Sequence, residues 1–219
     1  MPRLSSAFSF LHARALGVLV GLAVLLTGCQ GGSPTAGTSE PQTTTASSTS
    51  SVSVPAASAA PASSGAYKPA DAKGKAQNVP VPVMPELAKE NSKAGLEAFI
   101  GYWYAVKNYA NQTGDIAALD TLSTPGCQLC SHMERAVTDS YRDGRWMVGG
   151  ELHLSNVEMN WMPDEISHLA RVQVIQDEIS YFNADATEGR PADIATNDAF
   201  VIVTQFADSW KVVDTGVIR

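Results

Sequence analysis

Three cysteines carry the most specific chemistry in this chain of 219 residues: Cys29, Cys127 and Cys130. The run Cys127-Gln128-Leu129-Cys130 sits at the expected start of a helix, and that spacing lets two sulfurs meet. A structural disulfide closing so short a loop contributes about 2 kcal/mol on a chain-entropy basis, less any strain. A redox pair is the sharper alternative, because a helix N-terminus lowers a thiol pKa. Thioredoxin-like pairs follow a strand in a βαβ unit, whereas Pro125-Gly126 and a short helix precede this one. Covalent haem needs His directly after the second Cys; Ser131 stands there and His132 comes one residue late. Structural zinc needs a fourth ligand beyond Cys127, Cys130 and His132, and His153 or His168 would have to reach it from later strands. A structural disulfide is the leading reading, with a redox pair, free thiols and a metal as its alternatives.

Acid/base chemistry has eligible residues in Asp177, Glu178, His153 and His168, all on strand-like segments. His153, Glu151 and Arg171 alternate with apolar neighbours, which places them on a solvated face. No catalytic residue is assigned. The chain has no Gly-x-Ser-x-Gly elbow, phosphate loop or dinucleotide fingerprint. Tyr102, Trp103, Tyr109 and Trp161 are the candidate lining of a ligand pocket, with core packing as the plainer reading for each.

Cys29 has a different context. Arg3 and Arg14 come first, Ala15 to Leu26 is apolar, and Leu26-Thr27-Gly28-Cys29 follows. A spanning helix needs about 20 apolar residues; this run is shorter and has the length of a signal-peptide core. The order resembles a bacterial lipoprotein precursor, and all four positions match the lipobox. The resemblance implies cleavage between Gly28 and Cys29 and a diacylglyceryl (palmitate-like) modification of Cys29. It implies a place on the outer face of the bacterial cell membrane. An ordinary secretory signal is the alternative.

Charge agrees with such an anchor. The formal charge is −7, and loss of Arg3 and Arg14 would take it to −9. An acidic chain repels polyphosphate and anionic headgroups, so nucleic acid is not an expected partner. Attachment to a membrane then falls to lipid. With Cys29 acylated, Cys127 and Cys130 form an even remainder, which suits an oxidising compartment.

Residues 29–85 read as a linker of Ser, Thr, Ala, Pro and Gly, too poor in large apolar side chains to offset the entropy of ordering. Residues 86–219 read as one domain. Asn91 or Ser92 caps a first helix whose Leu96, Phe99, Ile100, Trp103, Val106, Tyr109 and Ala110 share a face. Asp115 opens a short second helix with Ile116, Leu119 and Leu122 inward. A third runs from about Cys127 to Arg142 with Leu129, Met133, Ala136, Val137 and Tyr141 inward. After Gly144 the period drops to two, through Leu152-Leu154, Val157-Met159-Trp161, Ala170-Val172-Val174 and Ile179-Tyr181. Ala199 to Phe206 pairs with Trp210 to Val213 in a hairpin, and a long polar loop spans Asn183 to Asp198. The class is α+β: three N-terminal helices on a curved, mostly antiparallel sheet.

Phe99-Ile100-Gly101-Tyr102-Trp103, Asn108-Tyr109-Ala110, Thr113-Gly114-Asp115 and Leu122-Ser123 with the cysteine pair look like an uncharacterised actinobacterial lipoprotein family. The closing Asp208-Ser209-Trp210-Lys211-Val212-Val213-Asp214 is similar to the last hairpin of nuclear-transport-factor-2-like (SnoaL-like) domains. That second resemblance implies a cone, with a bent sheet around the first helix and a pocket at the open end. Such domains host isomerases, hydrolases, binders and interaction modules, so fold does not select a function. The expectation is a non-catalytic binding module for a small apolar ligand or an envelope protein. A cone-pocket enzyme of proton transfer or hydrolysis and a thiol–disulfide protein are its rivals.

Overall fold

The computed structural model describes residues 65–219. Cys29, the signal segment and residues 29–64 of the linker lie outside the described residues.

Helix α1 (Lys93–Thr113) starts where Ser92 Oγ accepts from the Gly95 amide at 3.0 Å, satisfying an orphan donor. It stops at Gly114, whose φ of +79° only glycine adopts freely. Gly95 is needed for a different reason: a Cβ there would meet the Glu90 carbonyl oxygen at 2.1 Å. The stripe Leu96, Phe99, Trp103, Val106 and Ala110 is buried. A second stripe, Ile100, Tyr104, Lys107 and Asn111, is buried beside it. Helix α2 (Ala117–Leu122) begins under Asp115, whose Oδ1 accepts from the Ala117 amide, and it buries Leu119 and Leu122. Helix α3 (Gln128–Tyr141) has Cys127 as its N-cap, with Sγ accepting from the Cys130 amide at 3.3 Å.

Six strands follow: β1 (Trp146–Gly149), β2 (Leu152–Met159), β3 (Ser167–Gln176), β4 (Ile179–Phe182), β5 (Thr196–Phe206) and β6 (Trp210–Val217). The expected single sheet is instead two. Strands β2-β3-β5-β6 form a four-stranded antiparallel sheet, and β1 pairs only with β4. Gly149 and Gly150, both at positive φ, break the chain between β1 and β2 and separate the two ladders. Register shifts between Leu154 and Asn156, and between Val203 and Thr204, bend the larger sheet. The inner face of β3 buries His168, Ala170, Val172 and Val174. Opposite them, α1 supplies the core.

Tryptophan indoles tie distant segments to that core. Trp210 Nε1 donates to the Glu90 carbonyl at 2.9 Å, and Trp103 Nε1 donates to Ser123 Oγ at 3.2 Å. Trp146 Nε1 donates to the Asp71 carbonyl at 2.9 Å. This last bond moves the expected boundary of the folded part from Glu86 back to residue 65. Residues 65–85 carry an antiparallel bridge of Lys68 with Gln77, and Tyr67 donates to Gln112 at 2.8 Å. Met84 of this segment packs against the core, and these other ties are hydrogen bonds, which leave no apolar period in the sequence.

Candidate functional site

Helices α1 and α3 and strands from both sheets enclose a cavity of about 330 Å³. Trp103, Met133, Val137, Met147, Val174 and Phe200 give it apolar walls. Its inner wall also holds Tyr104, Lys107 and Asn111, which form the polar part of the second α1 stripe. Exposed His132, Ala136, Arg190 and Thr196 stand at the rim.

Lys107 is only 7% exposed. Its ammonium donates to Asn111 Oδ1 at 2.6 Å. Asn111 is itself oriented, because its Nδ2 donates to the Gly150 carbonyl at 3.2 Å. One turn earlier, Asn108 brackets Leu152 through both backbone groups, at 2.8 and 2.9 Å. These amides lock α1 to the start of β2, so the lysine projects from a fixed backbone. Burial pushes the Lys107 pKa down to about 8, opposed by the charge of Glu134. Burial, reinforced by Asp120, raises the Glu134 carboxyl above its ordinary value, and Lys107 and Arg135 pull the other way. Among the described residues Glu134 Oε1 has no hydrogen-bond partner. Tyr104 is raised by burial alone.

The polar loop after β4 is folded back on that strand. Asn183 and Thr187 bond through their backbones, as do Gly189 and Tyr181, and Asp193 and Ile179 exchange two bonds. Tyr181 Oη donates to Asp193 Oδ2 at 2.6 Å, and Arg190 reaches the same oxygen at 3.0 Å. The guanidinium lies 3.6 Å from the Tyr181 ring centroid. Burial, then the bond to Asp193, pushes the Tyr181 pKa up to about 12. This triangle lines the cavity.

Of the four aromatic candidates, Trp103 lines the cavity; Tyr102, Tyr109 and Trp161 do not. Tyr102 and Tyr109 are half-buried on other faces of α1. Trp161 stacks on His168 at 4.1 Å and meets Trp210 edge-on. Tyr104, Lys107 and Asn111 were legible only as steps of four, three and four from Ile100, a pattern obscured by their polarity. His168 is buried at the core rather than in the cavity. Cys127 and Cys130 form a disulfide, and both residues are buried, at 0% and 2% exposure. Glu151, His153 and Asp177 offer ligand atoms within 4.8 Å of one another, but all three are exposed and outside the cavity. Among the described residues no helix is long and apolar enough to cross a membrane.

No curated protein matches the sequence. Among solved structures, the chain is similar to the intermembrane space region of the chloroplast protein ARC6, at 11% identity and a TM-score of 0.44, covering 58% of this chain and 96% of that one. It is also similar to an uncharacterized protein with a cystatin-like fold from Caulobacter vibrioides, at 16% identity and a TM-score of 0.38, covering 57% and 87%. The family profile of DUF6318 matches residues 65–216, a span that begins where the described structure begins and takes in every element of the cavity, and the chain belongs to this family of unknown function.

Proposed function

We propose that this protein is a cell-envelope lipoprotein whose α+β domain binds a small, mostly apolar molecule. The observation that carries the binding reading is the cavity. Its volume of about 330 Å³ falls in the range of ligand pockets, roughly 300–1,000 Å³. Its walls are apolar with a few convergent polar groups, the composition that orients a ligand. In this reading the domain has the nuclear-transport-factor-2-like cone arrangement, supported by the order of its elements and by the bulged sheet facing α1. Acylated Cys29 would hold it at the outer face of the membrane, an inference from the lipobox alone.

Filling the cavity tests the binding reading. Ala136 lies on its exposed rim, so Ala136→Trp adds bulk there at little cost to the core. The variant should keep its melting temperature and lose ligand-induced thermal stabilisation; retained binding would remove the cavity as the site. The anchor is tested by the mass of the N-terminal peptide, and an unmodified Cys29 defeats it.

One observation favours a second reading, a cone-pocket enzyme. Lys107, with its pKa near 8, is partly an uncharged amine at mildly alkaline pH, and a buried amine acts as base or nucleophile. Borohydride trapping of an aldehyde on Lys107 would support it. The buried cysteine pair weighs against the thiol–disulfide alternative, which needs an accessible sulfur.

A further inference from the structure

We infer that the ligand is a monocarboxylic acid with a compact apolar body, and that Lys107 is the seat of its carboxylate. This rests on reading the cavity as a ligand site.

An ammonium has three N–H donors. Asn111 Oδ1 takes one. Among the described residues no carboxylate lies within 4.0 Å of the Lys107 Nζ, and its other donors have no hydrogen-bond partner. A buried cation left this way is costly, and a paired anion relieves the cost. The second α1 stripe places Lys107 on the cavity wall. A carboxylate there accepts the two remaining donors while Trp103, Val137 and Phe200 cover the body.

The charge balance selects a single negative charge. Arg190, at the rim, is already held by Asp193 and the Tyr181 ring. Asp193 on the loop lines the cavity and opposes further anions, and Glu134 on α3, outside the lining, already offsets part of the Lys107 charge. A phosphate, with close to two charges, would need a second free cation. The amide plane of Asn111, fixed by Gly150, aims the ammonium and restricts the head to one orientation. Asn111 is a positioning residue in this arrangement.

The test is calorimetry on the full mature chain in nanodiscs, with empty nanodiscs as the blank. The probes are octanoate, 4-phenylbutyrate and 1-naphthoate, each beside its primary amide. At pH 7 at least one acid should bind about tenfold or more tighter than its amide, the effect of a charge-assisted hydrogen bond. Lys107→Met should bring that acid to the affinity of the amide. In the unaltered protein, acid affinity should fall as pH rises above about 8 while amide affinity stays level. The other titratable groups lining the site are Tyr104 and Tyr181, which are raised, His132 and Arg190 at the rim, and Asp193, while Glu134 acts on Lys107 through its charge from outside the lining. The unaltered chain supplies this pH readout even if Lys107→Met fails to fold.

Equal binding of acids and amides would overturn the Lys107 assignment and leave the cavity reading standing. An acid preference that survives Lys107→Met but disappears in Arg190→Met would also overturn it, moving the head group to the rim. Absence of binding by every probe would overturn both readings.

Discussion

The Lys107 ammonium and the Asn111 side-chain oxygen, one helical turn apart on α1, lie 2.6 Å from each other inside the protein. This contact is made within a single helix, yet it reports on the whole fold. Asn111 is turned by Gly150 at the break between the two sheets, and Gly150 needs its φ of +73° to present that carbonyl. The charge at the cavity therefore depends on a glycine turn on another element.

Lys107→Met should stabilise the domain at pH 7. Its pKa near 8, against an ordinary 10.5, means that folding disfavours the charged form by about 3 kcal/mol. Methionine removes that cost but leaves Asn111 Oδ1 without a donor, which takes back about 1–2 kcal/mol. A net gain of about 1–2 kcal/mol is expected in urea denaturation. The pH dependence has a definite sign. Between about 8 and 10.5 the unfolded chain holds the lysine proton and the folded chain does not, so stability rises with pH across that window. The variant should lose this rise.

Asn111→Asp should have the opposite effect on the lysine. A carboxylate at the position of Oδ1 favours the ammonium and moves its pKa from about 8 toward 10.5, while its second oxygen, having no proton, gives up the bond that Nδ2 donates to the Gly150 carbonyl. Nitrogen-detected NMR of Lys107 Nζ would show the higher midpoint. The new internal anion should also compete with an acid ligand and weaken it about tenfold. An unchanged midpoint would show that Asn111 does not set the electrostatics of the site.

Two glycines of α1 should respond in opposite directions. Gly101 is exposed, and a Cβ there meets nothing within 4 Å, so Gly101→Ala should stabilise by about 1 kcal/mol. Gly95→Ala should destabilise, because its Cβ would fall 2.1 Å from the Glu90 carbonyl oxygen and force the cap open. That movement also disturbs the Trp210 indole, which donates to the same oxygen. Thermal melts of the two variants check both signs.

The Cys127–Cys130 bond should behave as structure. Both residues are buried at the first turn of α3, and Cys127 also caps the helix. Replacing both by Ala should cost about 2 kcal/mol from the short closed loop, plus up to about 1 kcal/mol from the lost cap. Thiol labelling after mild reductant should stay at background until denaturant is added. Rapid labelling under native conditions would reopen the redox reading.

What the sequence displayed of this architecture was its apolar periodicity. The stripe from Leu96 to Ala110 and the alternation of Ala170, Val172 and Val174 both appear as core in the structure. The polar members of the site were hidden by the same logic. Lys107 and Asn111 carry polar side chains, so a pattern search assigns them to water, and only tertiary packing buries them. Aromatic identity was equally ambiguous. Trp103 reaches the cavity, whereas adjacent Tyr102 is turned about 100° around the helix and misses it. The split into two sheets depends on a backbone break at Gly149 and Gly150, which period-two counting passes over.

The loop after β4 is the part of the site whose motion should control ligand exchange. Asp193 accepts from both Tyr181 and Arg190, so one carboxylate closes the triangle. The ion pair is about half exposed, which limits its own contribution to about 1 kcal/mol or less. Asp193→Asn should therefore keep the fold and loosen the loop. Hydrogen exchange at the Asn183 and Gly189 amides, both bonded across this hairpin, should speed up. The Asp193 charge also opposes an entering anion, so the variant should take up an acid ligand faster. Release should accelerate as well, because the rim is less firmly tied. Stopped-flow measurement of both rates separates the two effects. A faster entry that vanishes at 1 M salt assigns it to charge, since the Debye length there is about 3 Å. A faster entry that persists in salt assigns it to the opened loop. Unchanged rates and unchanged exchange would mean that the triangle does not gate the cavity.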